Sequence, residues 1–101
     1  MTARNLRTFV VAYDVSDDDR RAAVARACSG YGRRVQYSVF ECVLDDLKHD
    51  RLLASIQPGL DLATDRLLIY ALCQECVQNI LTLGRPPGGN DPGRQTRFRI
   101  V

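Results

Sequence analysis

The sequence predicts an α+β domain in which two helices cover one face of a small sheet. Residues 9–15 and 66–72 are nearly continuous apolar runs of strand length, rich in β-branched and aromatic side chains. Between these runs, two segments have the apolar spacing of a helix, and each begins at aspartates, which are favoured at helix N-termini. The predicted order is strand, helix, strand or strands, helix, strand, followed by short additions.

The first strand, residues 9–15, is expected to be central. Its run of apolar residues favours burial on both faces over a position at the surface. Ser16 stands three residues before Asp19, a variant of the capping box, and predicts that a helix begins here. We expect Gly30 or Gly32 to end this helix. Its core face is predicted to contain Ala23, Val24, Ala27 and Cys28, and its outer face Arg20, Arg21 and Arg26.

Residues 33–44 alternate in polarity, which predicts β structure bent near Ser38, although the stretch contains no obvious turn residue. Asp45 or Asp46 is expected to cap the second helix, which Gln57-Pro58-Gly59 ends. Its inward-facing positions are predicted to be Leu47, Leu52, Leu53 and Ile56.

Beyond the strand at 66–72, the sequence predicts a turn or helical piece at 73–79 and a short strand at 80–83. The stretch Gly84 to Gly93 contains four of the seven glycines and three of the four prolines, and is typical of a linker. Residues 97–101 alternate in polarity and predict a last strand. We therefore expect a domain at 1–84, followed by a linker and C-terminal strand at 85–101.

Two helices can cover only one face of this sheet, which leaves apolar side chains of the other face in water. We therefore expect a homodimer formed through the open sheet faces, with Tyr37 and Phe40 in the interface. The alternative for these aromatic residues is base stacking. The predicted C-terminal strand at 97–101 follows a flexible linker of about ten residues, so it could pair with the sheet edge of the partner as easily as with the sheet edge of its own chain.

The composition excludes a membrane protein. No stretch approaches the roughly 20 apolar residues of a membrane span. The apolar run near the start is too short for a secretory signal, so we expect a cytoplasmic protein. In that compartment the four cysteines are expected to be reduced thiols or metal ligands.

The net charge is only +2, but basic residues are 13 arginines against one lysine. Arg20, Arg21, Arg33 and Arg34 flank the ends of the first helix and second strand, so we expect them to share one basic face that binds a phosphate backbone. The alternative is a solvated helix face and a strand edge protected by charge. A GC-rich genome would also explain the arginine excess.

Asp14 lies at the carboxyl end of the first strand and is the candidate for a reactive, metal-binding carboxylate. Mg²⁺ needs only one or two protein carboxylates, because water and phosphate oxygens supply the remaining ligands. Two copies of Asp14 could share one metal if a dimer axis passes nearby. The alternative is helix capping, which we assign to Asp17, Asp18 and Asp19 and for which Asp14 comes one residue too early.

Cys73-Gln-Glu-Cys76 has the spacing of half a zinc site or of a redox pair. No second pair has this spacing, so Cys28 and Cys42 would have to fold onto it to complete a zinc site. His49 lies in a charged helix turn and is expected to be solvated. Neither a catalytic triad nor a glycine-rich phosphate loop is indicated.

Three segments together resemble the CRISPR-associated Cas2 family, over about residues 9–84. They are Tyr13-Asp14-Val15-Ser16-Asp17-Asp18-Asp19-Arg20-Arg21, Tyr31-Gly32-Arg33-Arg34-Val35-Gln36-Tyr37-Ser38-Val39-Phe40-Glu41-Cys42 and Arg66-Leu67-Leu68-Ile69-Tyr70-Ala71-Leu72-Cys73. The resemblance implies a ferredoxin-like sandwich, βαββαβ with short C-terminal strands that reach across a homodimer.

The same resemblance implies that Asp14 is the metal-binding carboxylate, paired with its symmetry mate. It places Arg20, Arg21 and Arg34 at basic positions of the family, and Phe40 in its Val-Phe-Glu signature. It further implies Mg²⁺-dependent endonuclease activity on single-stranded RNA or double-stranded DNA. The implied partners are a Cas1-type integrase and a double-stranded DNA prespacer.

The leading hypothesis from the sequence is a dimeric adaptation subunit that takes part in integrating spacer DNA and binds Mg²⁺ through Asp14. Hydrolysis would need both the dimer and the cation, because one carboxylate per chain provides no separate general base. The alternatives are a stand-alone ribonuclease toxin of the related ferredoxin-like toxin family and a non-catalytic structural dimer.

Overall fold

The fold consists of four strands and three α-helices, seen in a computed structural model that describes residues 5–85. In chain order the elements are β1 (Arg7–Asp14), α1 (Asp18–Ser29), β2 (Arg33–Gln36), β3 (Val39–Leu44), α2 (Asp46–Ile56), β4 (Arg66–Leu72) and α3 (Gln74–Gln78). A 3₁₀ turn, Gln57–Gly59, follows α2. The α+β prediction is confirmed, whereas the predicted strand at 97–101 and most of the linker lie outside the described residues.

The sheet is antiparallel throughout, in the order β2-β3-β1-β4. Strand β1 is therefore central, as predicted. In the register, Val11 lies between Phe40 of β3 and Ile69 of β4. No helix between residues 5 and 85 is long and apolar enough to cross a bilayer.

The core lies between the sheet and the first two helices. Alternate residues of β1 and β3 point into it because successive side chains of a strand face opposite sides. Its buried residues include Phe9, Val11 and Tyr13 from β1, Phe40, Cys42 and Leu44 from β3, Val24 and Cys28 from α1, and Leu52 and Ile56 from α2. The prediction that β1 is buried on both faces is wrong for the single chain. Both helices pack on the same side of the sheet and leave the other side of β1 uncovered.

Aspartates cap both long helices. Asp17, rather than Ser16, caps α1, and its carboxylate accepts the Arg20 backbone N–H at 2.9 Å. Gly30 follows the helix as its C-cap. Asp45 caps α2 and accepts the Lys48 backbone N–H at 2.8 Å. Side-chain capping therefore fixes the starting residue of each helix.

The inward face of α2 is narrower than predicted. Leu52 and Ile56 are buried four residues apart, on one helical stripe. Leu47 is 59% exposed, contrary to prediction. It lies five residues before Leu52, and at 3.6 residues per turn this spacing places it off the stripe.

The β structure at 33–44 is a hairpin that turns at Tyr37 and Ser38, with an irregularity between Arg34 and Gln36. The bend predicted near Ser38 is confirmed. Just before β2, Gly32 packs so tightly that an added Cβ would lie 2.3 Å from the Glu41 carbonyl oxygen and 2.4 Å from Cys42 Sγ. Only glycine fits this approach of the loop to β3.

The helical piece predicted at 73–79 is confirmed as α3, with Cys73 at its N-cap. The short strand predicted at 80–83 is wrong, because this stretch joins none of the four strands of the sheet. Leu81 and Leu83 there are more than half exposed.

Candidate functional site

The sheet face that α1 and α2 leave uncovered is largely apolar. This open face contains Thr8, Val10 and Ala12 of β1, Val39, Glu41 and Val43 of β3, and Leu68, Tyr70 and Leu72 of β4. Val43 is 59% exposed, Leu68 43% and Tyr70 55%. A contiguous exposed apolar patch on a sheet is typical of an interaction surface.

Asp14 lies at one end of the open face. It is the last residue of β1, and strand alternation places its side chain on the same side as Val10 and Ala12. Its cross-strand neighbour is Arg66, the first residue of β4. Asp14 is exposed, so its carboxylate is available to a cation or a second molecule.

The opposite end of the open face lies beside α3. Val77 of α3 lines a pocket together with Thr8 and Val43. Thr8 and Asp14 are six residues apart on β1, which corresponds to about 20 Å along a strand. The open face therefore has the Asp14 carboxylate at one end and the pocket beside α3 at the other.

Within residues 5–85, no three His, Cys, Asp or Glu side chains come close enough to hold a metal ion. Asp14 thus supplies a single carboxylate per chain. Such a ligand fits Mg²⁺, which is commonly held by one or two carboxylates plus water and phosphate oxygens. The remaining ligands would come from outside the chain.

A second polar feature lies between α1 and the β2–β3 hairpin. Arg21, Arg26, Arg34 and Tyr37 line a pocket of about 320 Å³, called here the arginine pocket. The Arg21 and Arg34 guanidinium carbons lie 5.9 and 6.0 Å from the centre of the Tyr37 ring. Cations at this distance from an aromatic ring are attracted to its face.

Arg21 is held in place by its own chain. Its guanidinium donates hydrogen bonds to the carbonyl oxygens of Val15 at 3.0 Å and Ser16 at 3.4 Å, and it is ion-paired with Asp18. The hydrogen bond to Asp18 raises the pKa of Arg21 above its ordinary value. These contacts fix the position of Arg21 and occupy both of its Nη groups, and the carboxylate of Asp18 also lines the arginine pocket.

Arg20 is paired within its own chain, and its predicted contact with nucleic acid stays a prediction. Its guanidinium binds Asp65 through two hydrogen bonds, Nε to Oδ2 at 2.9 Å and Nη2 to Oδ1 at 3.1 Å. The hydrogen bond from Arg20, followed by one from the Asp61 backbone N–H, lowers the pKa of Asp65 to about 2. Arg20 therefore anchors the loop before β4 to α1 instead of joining the arginine pocket.

Arg33 and Arg34 point to opposite sides of the sheet. In the register, Arg34 lies opposite the buried Phe40, on the helix side, and Arg33 lies opposite Glu41, on the open face. The expectation that Arg20, Arg21, Arg33 and Arg34 share one basic face is therefore wrong. Neighbouring residues of a strand alternate between faces, so adjacent arginines in β2 separate.

Phe40 was expected in the interface between open faces, but its side chain is 1% exposed and lies in the core under the helices. The turn at Tyr37 and Ser38 sets the alternation of β3 so that Phe40, Cys42 and Leu44 all face inward. Tyr37 is 70% exposed and lines the arginine pocket. Its role in an interface stays a prediction.

The four cysteines form two different groups. Cys28 and Cys42 are fully buried, and burial raises the pKa of their thiols to about 12 and about 11. Cys73 and Cys76 are exposed, with their Sγ atoms 3.4 Å apart. A zinc site formed by all four cysteines is excluded among the described residues.

The sequence pattern does not indicate a function for two residues that lie near the candidate sites. The pattern predicts only that Arg26 lies on the outer face of α1, whereas in the structure it lines the arginine pocket. For Arg66, the pattern predicts only that it starts a strand. Antiparallel pairing of β4 with β1 would have been enough to place Arg66 beside Asp14, because one residue starts its strand and the other ends its own.

The comparisons with known proteins agree on one family. Residues 7–80 match the family model described as CRISPR associated protein Cas2. A CRISPR-associated endoribonuclease Cas2 3 from Synechocystis is 39% identical over 85 residues, which cover 84% of this chain and 92% of the relative.

Solved structures give the same result. The crystal structure of Streptococcus pyogenes Cas2 at pH 6.5 matches with a TM-score of 0.69 and 32% identity, over 76% of this chain and 99% of the other. A chain in a partial Cas6-RT-Cas1–Cas2 complex has the same fold, with a TM-score of 0.62 and 23% identity, over 88% and 99% of the two chains. Since the family model spans most of the described residues, the chain belongs to the Cas2 family of CRISPR-associated proteins.

Proposed function

We propose that the chain is a subunit of the CRISPR adaptation machinery, which acts as a homodimer and binds double-stranded DNA together with a Cas1-type integrase. The observation that carries this proposal is the open apolar face with Asp14 at its end. Family membership and the fold shared with a chain of a Cas1–Cas2 complex support the adaptation role and the integrase partner. The element order and the sheet order β2-β3-β1-β4 support a ferredoxin-like sandwich.

The homodimer is the first step. Val43, Leu68 and Tyr70 are exposed in the single chain, and a second copy packed face to face would remove all three from water in both chains. A two-fold arrangement also brings two Asp14 carboxylates to one interface. Sedimentation of the purified chain tests this step: we expect a dimer at micromolar concentration, and a monomer at every concentration would refute it.

DNA binding is assigned to the arginine pocket. Arg26 and Arg34 line this pocket and could contact phosphate oxygens, because guanidinium groups bind phosphates through paired hydrogen bonds. Each phosphate contact releases counterions, so binding should weaken steeply as salt increases. We expect Arg34→Ala to weaken binding to every duplex sequence alike and to lower the salt slope by about one.

Arg51→Ala is the matched control, since this exposed arginine lies on α2, outside the arginine pocket. Fluorescence anisotropy with a labelled duplex, at several salt concentrations and with or without the integrase, measures both variants. Equal salt slopes for Arg34→Ala and Arg51→Ala would remove the arginine pocket from the DNA interface. Binding without any salt dependence would contradict the phosphate contact altogether.

Endonuclease activity, on single-stranded RNA or double-stranded DNA, is the further part of the proposal. Asp14 would hold a divalent cation such as Mg²⁺, which supplies a water of lowered pKa and neutralises charge on a phosphate. The chain's own contribution is to place one exposed carboxylate at the end of a rigid central strand. Cleavage therefore depends on the Asp14 carboxylate, whereas DNA binding depends on the arginines.

Asp14→Asn keeps the size of the side chain and removes its charge. We expect it to abolish Mg²⁺-dependent cleavage and to keep DNA binding within about twofold, because the phosphate contacts come from arginines. Asp19→Asn, an exposed carboxylate on α1, serves as the control and should leave cleavage unchanged. Equal cleavage by wild type and Asp14→Asn would rule out the catalytic role, leaving the adaptation subunit as a non-catalytic DNA-binding dimer.

A further inference from the structure

The exposed pair Cys73 and Cys76 has no part in the proposed function. Cys73 is the N-cap residue of α3, directly after β4, and Cys76 lies one turn later. The two Sγ atoms are joined by a hydrogen bond of 3.4 Å, and the Cys76 backbone N–H donates to Cys73 Sγ at 3.4 Å. Both side chains are accessible in the chain, so small molecules can reach them.

The environment of the pair makes its two thiols unequal. The hydrogen bonds from the backbone N–H and the thiol of Cys76 lower the pKa of Cys73, while the interaction with Cys73 raises the pKa of Cys76. The thiolate is the reactive form of cysteine, so Cys73 is the thiol that attacks a disulfide first. Cys76 is the thiol that then attacks the resulting mixed disulfide. Cys28 and Cys42, buried and with raised pKa values, are protected from the same chemistry.

Cys73 also lines a groove with a volume of about 740 Å³. Leu6, Arg7, Thr8, Leu72 and Val77 contribute to its walls. This volume falls in the range of small-molecule sites, about 300 to 1,000 Å³. The Arg7 guanidinium is ion-paired with Asp46 at 3.1 Å, so among the described residues the groove offers a small disulfide room beside Cys73 and no free positive charge. The groove lies at the Thr8 end of β1, so the pair is separate from Asp14.

We propose that Cys73 and Cys76 form a thiol–disulfide exchange site that reacts with low-molecular-weight disulfides of the glutathione class. The Cys73 thiolate attacks one sulfur of the disulfide, which forms a mixed disulfide at Cys73 and releases one small thiolate. Cys76 then gives up its proton and attacks Cys73 Sγ, which forms the Cys73–Cys76 disulfide and releases the second small thiolate. Two protein thiols are oxidised and one small disulfide is reduced to two thiols, and an excess of the small thiol reverses the reaction.

The geometry favours closure within one chain. A disulfide needs an Sγ–Sγ distance of about 2.05 Å, so sulfurs already 3.4 Å apart have little distance left to cover. A metal site formed by this pair within one chain is not supported, because no third His, Cys, Asp or Glu of the described residues joins it. The groove shares Thr8 and Leu72 with one end of the open face, but the exchange reaction itself uses neither Asp14 nor the arginine pocket, so it can be tested whether or not the proposed function holds.

The test uses the full chain, reduced and then equilibrated with mixtures of reduced and oxidised glutathione. After acid quenching and alkylation, intact mass counts the remaining thiols and peptide mapping locates the bridge. We expect loss of two of the four thiols, a Cys73–Cys76 bridge within one chain, and alkylation of Cys28 and Cys42 only after unfolding. Reduction should restore all four thiols.

Two matched variants separate the roles of the thiols. Cys76→Ser should accumulate a stable glutathione adduct at Cys73, whereas Cys73→Ser should form its adduct at Cys76 several-fold more slowly at pH 7. Circular dichroism confirms that both variants, which change exposed residues, keep the fold. Equal adduct rates, a bridge between two chains, or one zinc ion bound per reduced pair would each overturn the proposal.

Discussion

Truncation of Leu68 to alanine is the sharpest test of the dimer, because this side chain lies on the open face and contributes little to the core of its own chain. Leu68 is 43% exposed in the single chain. Full burial of a leucine is worth about 1.5 to 3 kcal/mol, so covering this fraction corresponds to roughly 0.6 to 1.3 kcal/mol per copy. A two-fold interface contains the residue twice, which makes roughly 1.3 to 2.6 kcal/mol per dimer. At about 1.4 kcal/mol for each tenfold change, Leu68→Ala should raise the dimer dissociation constant by roughly ten- to seventyfold.

Sedimentation equilibrium over a range of concentrations gives this constant directly. Leu62→Ala is the matched control, because Leu62 is 83% exposed in the loop before β4 and lies outside the sheet. It should leave the constant unchanged. If Leu68→Ala and Leu62→Ala dissociate alike, the open face is not what joins the two copies. Thermal unfolding at a concentration where both variants are monomeric separates loss of association from loss of folding.

Three further outcomes are expected. Gly32→Ala forces a Cβ against the Glu41 carbonyl oxygen and Cys42 Sγ, so by overpacking it should destabilise the chain by about 1 to 3 kcal/mol and lower its Tm by calorimetry, while an unchanged Tm would mean that the loop has room. The Arg20–Asp65 pair lowers the pKa of Asp65 from 3.8 to about 2, so its stabilisation is complete above about pH 4 and is lost as the pH falls towards 2. The Tm of Asp65→Asn should therefore fall less than that of wild type over this range, and parallel curves would contradict the pairing. Mg²⁺ should tighten the wild-type dimer in sedimentation, because a ligand that binds only the dimer favours it, and should leave the Asp14→Asn dimer unchanged; an equal effect on both would place the cation elsewhere.

Much of the fold follows from local pattern. The strand at 66–72 and the central position of β1 could be predicted because each is an apolar run of strand length. The two long helices could be predicted because their aspartate caps are encoded within a few residues. The exposure of Leu47 could not be predicted in the same way. Leu52 and Ile56 form the buried stripe of α2 and Leu47 lies off it, but apolar character alone does not distinguish these residues.

The position of Asp14 could be predicted because it depends only on where the first strand ends. Asp14 could be singled out because it is the first charged residue after the apolar residues that begin at Phe9, and in the structure it is the last residue of β1. Arginine positions were harder, because a count of basic residues ignores which side of a strand each one faces. Arg33 and Arg34 are neighbours in sequence and lie on opposite faces, whereas Arg26 and Arg34 are distant in sequence and share a pocket.

Strand alternation also explains why the proposed dimer interface and the proposed metal ligand lie together. Val10, Ala12 and Asp14 share one side of β1, so the residues that need a partner to leave water and the carboxylate that needs further ligands lie on one surface. The chain's own residues satisfy neither, since both helices lie on the other side of the sheet and no group of three His, Cys, Asp or Glu side chains among residues 5–85 could hold an ion. The arginine pocket, in contrast, is complete in one chain. In the proposed function, each copy therefore contributes its own phosphate contacts, whereas the proposed reaction at Asp14 depends on both copies.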